Sequence, residues 1–141
     1  MGRQATAVWT GTLKEGKGVM SAPSGVLNNA AYTFSTRFEN AAGTNPEELI
    51  AAAHAGCYSM AFSGKLVAQN LTPARIETTA ALTMEKTEAG MTVTKIHLTT
   101  RAKVPGATPD VFAKAAEDAR ATCPVSRLLK ATITLDAKLE A

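Results

Sequence analysis

An α+β fold with mostly antiparallel pairing follows from three features of the sequence. Residues 76–86 alternate cleanly, with Ile76, Thr78, Ala80, Leu82 and Met84 on one face and Glu77, Thr79, Thr83 and Glu85 on the other, the period of a half-buried strand. A helix built almost wholly of small and apolar residues starts near residue 46 and runs to about 69. The elements come as strands, helix, strand pair, helices and strand, an order that segregates helices from strands instead of alternating them.

Taken in order, residues 4–10 and about 17–22 read as strands around the Gly-rich turn Lys14–Gly18. Residues 31–38 are expected as a further strand, with Tyr32, Phe34 and Phe38 on one face and Arg37 on the opposite face beside Thr33 and Ser35. Thr44-Asn45-Pro46-Glu47-Glu48 supplies an N-cap, a first-turn proline and acids at the positive end of a helix. From Leu49 to Ala61 almost every side chain is apolar or small, which suggests burial all round. Glu88-Ala-Gly90 turns the chain into a strand over 91–103, where Val93 and Ile96 break the alternation and point to a bulge near Thr94-Lys95. Thr108-Pro109-Asp110 caps a helix from 109 to about 121, a short helix starts at Pro124, and residues 131–139 close the chain as a strand with Ile133, Leu135, Ala137 and Leu139 inward.

The 141 residues suit one domain spanning 1–141 with a real core, and no repeat or linker divides them. A net charge of +3, without basic runs interleaved with aromatics, argues against nucleic-acid binding. No apolar stretch approaches a membrane span, and the N-terminal residues lack the apolar core of a signal peptide, so a cytoplasmic location is expected.

Cys57 and Cys123 are the only cysteines. In a reducing compartment they are core residues, metal ligands or redox-active thiols. Cys57 sits among alanines and glycine, a setting that suits a small core residue. His54 lies three residues earlier on the same helix face, so the two could form an activated nucleophile for acyl transfer, or His54 is a buried, hydrogen-bonded histidine. A zinc set of His54, His97, Cys57 and Cys123 lacks a standard ligand spacing. Cys123 precedes Pro124 and would be a helix N-cap, where free amides favour a thiolate. On local electrostatics Cys123, not Cys57, is then the lower-pKa thiol.

Asn45-Pro-Glu47-Glu-Leu-Ile-Ala-Ala-Ala-His54-Ala-Gly-Cys57-Tyr-Ser-Met60, followed by Cys123-Pro124-Val-Ser-Arg127, resembles the OsmC/Ohr family of peroxide reductases over essentially the whole chain. Tyr32-Thr-Phe-Ser-Thr-Arg37-Phe-Glu39 is similar to the family's arginine strand. An arginine just upstream of the first long helix favours the OsmC branch. The resemblance implies an OsmC-like fold, a mostly antiparallel sheet wrapped around a long buried central helix in an intertwined homodimer. It implies Cys57 as the peroxidatic thiol, Cys123 as the resolving thiol, and Arg37 with Glu47 as the polar cluster at the peroxide. It further implies a small-molecule peroxide substrate, an external dithiol reductant, and no metal or other cofactor. A cysteine acyl hydrolase using His54 and Cys57, or a non-catalytic dimeric stress protein with inert thiols, are the competing readings. Glu47 and Cys57 are ten residues apart on one helix, an axial rise of about 15 Å. If both line one site, the first turn bends away or Glu47 comes from the partner chain.

Overall fold

The computed structural model describes residues 2–141, which form two compact units: residues up to Leu49, and Ile50–Ala141. In the first unit, strands β1 (Thr6–Thr10), β2 (Lys17–Ser21) and β3 (Ala30–Thr33) make an antiparallel sheet in that order. Its register sets Gly18 between Trp9 and Tyr32, whose rings lie 5.4 Å apart. A Cβ at Gly18 would stand 2.5 Å from the Tyr32 ring and 2.7 Å from Trp9. Glycine is therefore what lets the two aromatics close over the central strand.

The expected strand over 31–38 is corrected here. The chain leaves β3 at Thr33 and makes a short helix, α1 (Phe34–Phe38), which carries Arg37. Thr33 and Thr36 cap it reciprocally: each side chain accepts from the other's backbone N–H. Phe34 and Phe38, four apart, then stack at 4.9 Å. The even spacing of Tyr32, Phe34 and Phe38 imitates a strand, whereas the reciprocal Thr33–Thr36 cap decides for helix.

Helix α2 (Pro46–Val67) begins as expected. Asn45 Oδ1 accepts from the Glu48 N–H at 2.8 Å, and Thr44 Oγ1 donates to the Glu48 carboxylate. Asn45 Nδ2 also donates to the Thr36 carbonyl, so the cap of α2 is anchored to α1.

In the second unit, β4 (Arg75–Thr87) and β5 (Gly90–Lys103) form a long antiparallel hairpin, and β6 (Thr132–Glu140) pairs parallel to β5. The parallel pairing requires a crossover, supplied by α3 (Pro109–Thr122) and α4 (Pro124–Leu128). The expected bulge is present: Thr83 pairs with Lys95 and Met84 with Val93, leaving Thr94 as the extra residue. Beyond it Ile96, Leu98, Thr100 and Ala102 alternate into the core, and Ile133, Leu135, Ala137 and Leu139 of β6 pack against it.

Burial all round α2 is not found within one chain. Only His54, Tyr58, Phe62 and Leu66 are buried, a stripe at four-residue spacing. That stripe meets α3: Phe62 packs edge-on to Phe112 at 5.2 Å, and Tyr58 donates its hydroxyl to the Ala116 carbonyl. Ala53, Gly56, Met60 and Gly64 lie exposed on another side of the helix. Among the described residues, no helix is long and apolar enough to cross a membrane.

Candidate active site

The structure brings the singled-out residues together as two pairs. The first is Cys57 with Cys123. Cys57 lies midway along α2. Cys123 is the joint between α3 and α4, closing the first through its N–H to Ala119 O and opening the second as the residue before Pro124. The two sulfurs are 2.8 Å apart and both thiols are free. A disulfide is about 2.05 Å long, so closure needs less than about 1 Å of further approach. Cys57 is half-buried, whereas Cys123 has no exposed surface. A solute therefore meets Cys57 first, with Cys123 sealed behind it.

Burial pushes the Cys57 thiol up from its ordinary pKa, and the proton shared with Cys123 adds to the rise. The backbone amide of Val125 acts the other way, at the Cys57 sulfur. Cys123 takes the expected position ahead of α4 as its N-cap, but its side chain makes no capping bond. The sulfur is turned toward α2, and the α4 amide that favours a thiolate serves Cys57 instead.

His54 is completely buried, with Nε2 2.8 Å from Ser126 Oγ and Nδ1 without a partner. It is thus not hydrogen-bonded to Cys57, as an activating base would be. Burial lowers its pKa, so the ring is held neutral. His97 is bonded through Nδ1 to Thr134 Oγ1 at 2.6 Å. Among the described residues, no three His, Cys, Asp or Glu side chains cluster so as to hold a metal ion.

The second pair is Arg37 with Glu47. Nε of Arg37 donates to both carboxylate oxygens at 2.9 and 3.1 Å, and Nη2 donates to Oε1 at 2.6 Å. This two-pronged contact fixes the guanidinium plane, and the Phe38 ring supports it at 5.1 Å. Glu47 is the more buried partner, at 13% side-chain exposure against 38% for Arg37. Nη1 is left outside the carboxylate's grip. Beside Arg37 opens a cavity of about 230 Å³ walled by Trp9, Leu13, Tyr32, Phe34 and Phe38. It offers an apolar wall with one cationic group.

Two contacts were not foreseen from the sequence. Ser126 holds His54, and Asn45 ties the start of α2 to the helix that carries Arg37. A faint signal existed for the first: Ser126 follows Cys123 by three residues as His54 precedes Cys57 by three.

Fold and site together define a class, a small α+β protein with a dithiol centre of one open and one sealed cysteine. The chain belongs to the OsmC-like protein family, whose model matches residues 39–138. It is 49% identical over 138 residues to Peroxiredoxin OsmC of Escherichia coli (strain K12), a match covering 98% of this chain and 96% of that one. The crystal structure of the organic hydroperoxide resistance protein OhrB of Bacillus subtilis superposes with a TM-score of 0.67 at 22% identity, covering 97% of this chain and 98% of that one. That of an OsmC-like protein from Mycoplasma pneumoniae gives 0.77 at 14% identity, covering 100% of this chain and 99% of that one. At these identities the two structures speak for the fold alone.

The asymmetry of the thiols is directly measurable. Alkylation of the reduced protein, followed by mass spectrometry, should label Cys57 at least about tenfold faster than Cys123, since a thiolate reacts only where reagent can reach it. The absorbance of the Cys57 thiolate should develop at higher pH than that of free cysteine. Equal labelling rates would contradict the sealed position of Cys123.

Proposed function

We infer that this chain is a cysteine-based peroxidase that reduces organic hydroperoxides, and hydrogen peroxide, to alcohols and water. The observation that carries this reading is the 2.8 Å approach of one accessible thiol and one sealed thiol. The peroxiredoxin name of the 49% identical relative supports it.

The cycle runs in three balanced steps. The Cys57 thiolate attacks the distal oxygen of ROOH, the O–O bond breaks, and RO⁻ leaves to be protonated to the alcohol. Cys57 becomes a sulfenic acid, which the Cys123 thiol attacks, forming the disulfide and releasing water. An external dithiol then reduces the disulfide through a mixed disulfide, its own sulfurs being oxidised. Every electron comes from sulfur, so no cofactor is required.

Arg37 and Glu47 act on the peroxide in this reading. An ordinary thiol is only a few per cent ionised at neutral pH. Lowering its pKa by about 2.5 units would raise the thiolate fraction roughly thirtyfold, yet nucleophilicity would fall roughly tenfold at a Brønsted slope near 0.4–0.5. Ionisation is therefore a small lever, and the surroundings of Cys57 push its pKa the opposite way. The larger effects are placing the peroxide and stabilising the departing oxygen. A guanidinium locked by a carboxylate, with one nitrogen to spare, suits that task. The cavity beside it, walled by aromatic and aliphatic side chains, favours an alkyl peroxide over hydrogen peroxide.

The active form in this reading is a homodimer in which the long helix becomes central and buried. The exposed Ala53, Gly56, Met60 and Gly64 stripe of α2 supports it. Light scattering at micromolar concentration should give twice the chain mass, and a fully active monomer would remove the dimer from the proposal.

The test of function is one equivalent of an alkyl hydroperoxide with thiol loss followed by mass spectrometry. Cys57→Ser should abolish peroxide consumption. Cys123→Ser should complete one turnover and leave a trappable sulfenic acid at Cys57; a sulfenic acid trapped at Cys123 in the wild type would reverse the roles. Arg37→Lys and Arg37→Ala should each lose on the order of a hundredfold in rate, as on removal of an oxyanion donor. Raising the pH should restore little in either variant. Near wild-type rates at high pH would show that Arg37 acts by ionising the thiol.

A further inference from the structure

We propose that His54 and Ser126 are positioning residues for disulfide formation, a latch that holds Cys123 in register with Cys57. The proposal rests on the peroxidase reading only for the name of the step it serves. Its geometry stands alone.

Two contacts join α2 to α4 like rungs of a ladder. One is Cys57–Cys123 at 2.8 Å, and the other is His54–Ser126 at 2.8 Å. On each helix the two rungs are three residues apart, about one turn, with the order reversed between the helices. The reactive rung has to loosen when an oxygen is added to the Cys57 sulfur. The His54–Ser126 rung has no such obligation and can keep the helices aligned while Cys123 turns to attack.

Helix α4 needs such a tie. It has five residues, of which only Ser126 is buried, and Leu128 is 75% exposed. Its purchase on the core is otherwise the partial burial of Val125 and, just beyond it, Leu129. A segment so lightly packed would sample orientations in which Cys123 misses the sulfenic acid.

The histidine is also costly as a mere core residue. It is wholly buried and satisfies only one ring nitrogen. A buried N–H left orphaned is rarer and more costly than an orphaned lone pair. The proton therefore belongs on Nε2, donated to Ser126, with Nδ1 left as a bare lone pair. An apolar side chain would avoid that penalty. Its presence points to alignment rather than to stability.

The decisive variant replaces the whole latch, His54→Leu with Ser126→Ala, leaving no buried polar atom unpaired. Ser126→Ala alone is the backup if the double variant does not fold, and Ser126→Thr keeps the hydroxyl. Equilibration against reduced and oxidised glutathione gives the effective concentration of one thiol at the other. Stopped-flow mixing with cumene hydroperoxide separates sulfenic acid formation from disulfide closure. The double variant should keep the wild-type urea midpoint within error. Its effective thiol concentration and its closure rate should fall roughly fivefold to tenfold, the weight of one net buried hydrogen bond. The first step should stay within about twofold, and Ser126→Thr should restore closure. A latchless variant with wild-type effective concentration would overturn the proposal, as would equal slowing of both steps. If the wild-type protein fails to lose thiols to peroxide, the peroxidase reading falls while the glutathione equilibrium still decides the latch.

Discussion

Everything chemical in this molecule depends on the approach of two sulfurs carried by different helices. The backbone prepares that approach from both sides. Cys123 is at once the last residue of one helical path and the first of the next. Its N–H bonds back to Ala119 and its carbonyl accepts from Arg127. Pro124 confines it to extended dihedrals, observed at φ −55° and ψ 128°. These bonds fix the backbone at Cys123 itself, while its alignment with Cys57 also depends on how the short α4 is held against α2. On the other wall, Tyr58 and Phe62 clamp α2 to α3 through the Ala116 carbonyl and the Phe112 ring. Cys57, adjacent to Tyr58, inherits that placement.

The same packing fixes the electrostatics. Bringing Cys57 close to a buried partner takes it partly out of water, and this raises its pKa. One backbone amide of α4 is turned against that rise. A design that sought the most ionised thiol would not bury the pair, whereas one that sought rapid closure would. Under the proposed peroxidase function the structure favours closure. In that proposal the burden of activating the peroxide is assigned to donors such as Arg37, whose Nε and Nη2 are committed to Glu47 and whose plane is thereby set.

The elements that could be read from the sequence are those whose local signal agrees with their surroundings. Strand β4 shows strict alternation, and even the bulge at Thr94 of β5 was legible, because Val93 and Ile96 cannot share a face without one extra residue. The caps at Asn45 and Thr108 were legible for the same reason. The segment around Arg37 misled because aromatic residues at 32, 34 and 38 satisfy strand and helix spacing together. Only the reciprocal Thr33–Thr36 bonds separate them. The local reading of Cys123 found its position but not the direction of its side chain. It placed the sulfur over the helix it caps, whereas the side chain is turned across to Cys57. Which amide serves which sulfur is a tertiary fact that one-dimensional spacing does not carry. Ser126 was passed over because its importance lies in a partner 72 residues away.

The composition of α2 carries a further argument. Its residues suggested burial on every side, and one chain buries only the stripe of His54, Tyr58, Phe62 and Leu66. Gly56 and Gly64 are the telling positions. A glycine inside a helix costs about 1 kcal/mol relative to alanine. Beyond the backbone of its own helix turns and its chain neighbours, neither has a heavy atom within 4 Å of where a Cβ would stand, and neither has a positive φ. Nothing within the chain therefore requires glycine at either place, and Met60 between them is 80% exposed. A helix that gives up stability to keep a smooth, small-residued face is shaped for close contact with something outside its own chain. In the proposed homodimer that contact is a second copy of the protein. In that proposal the sequence's all-round apolar character describes the assembled helix, and its disagreement with the burial of one chain is the place proposed for the partner.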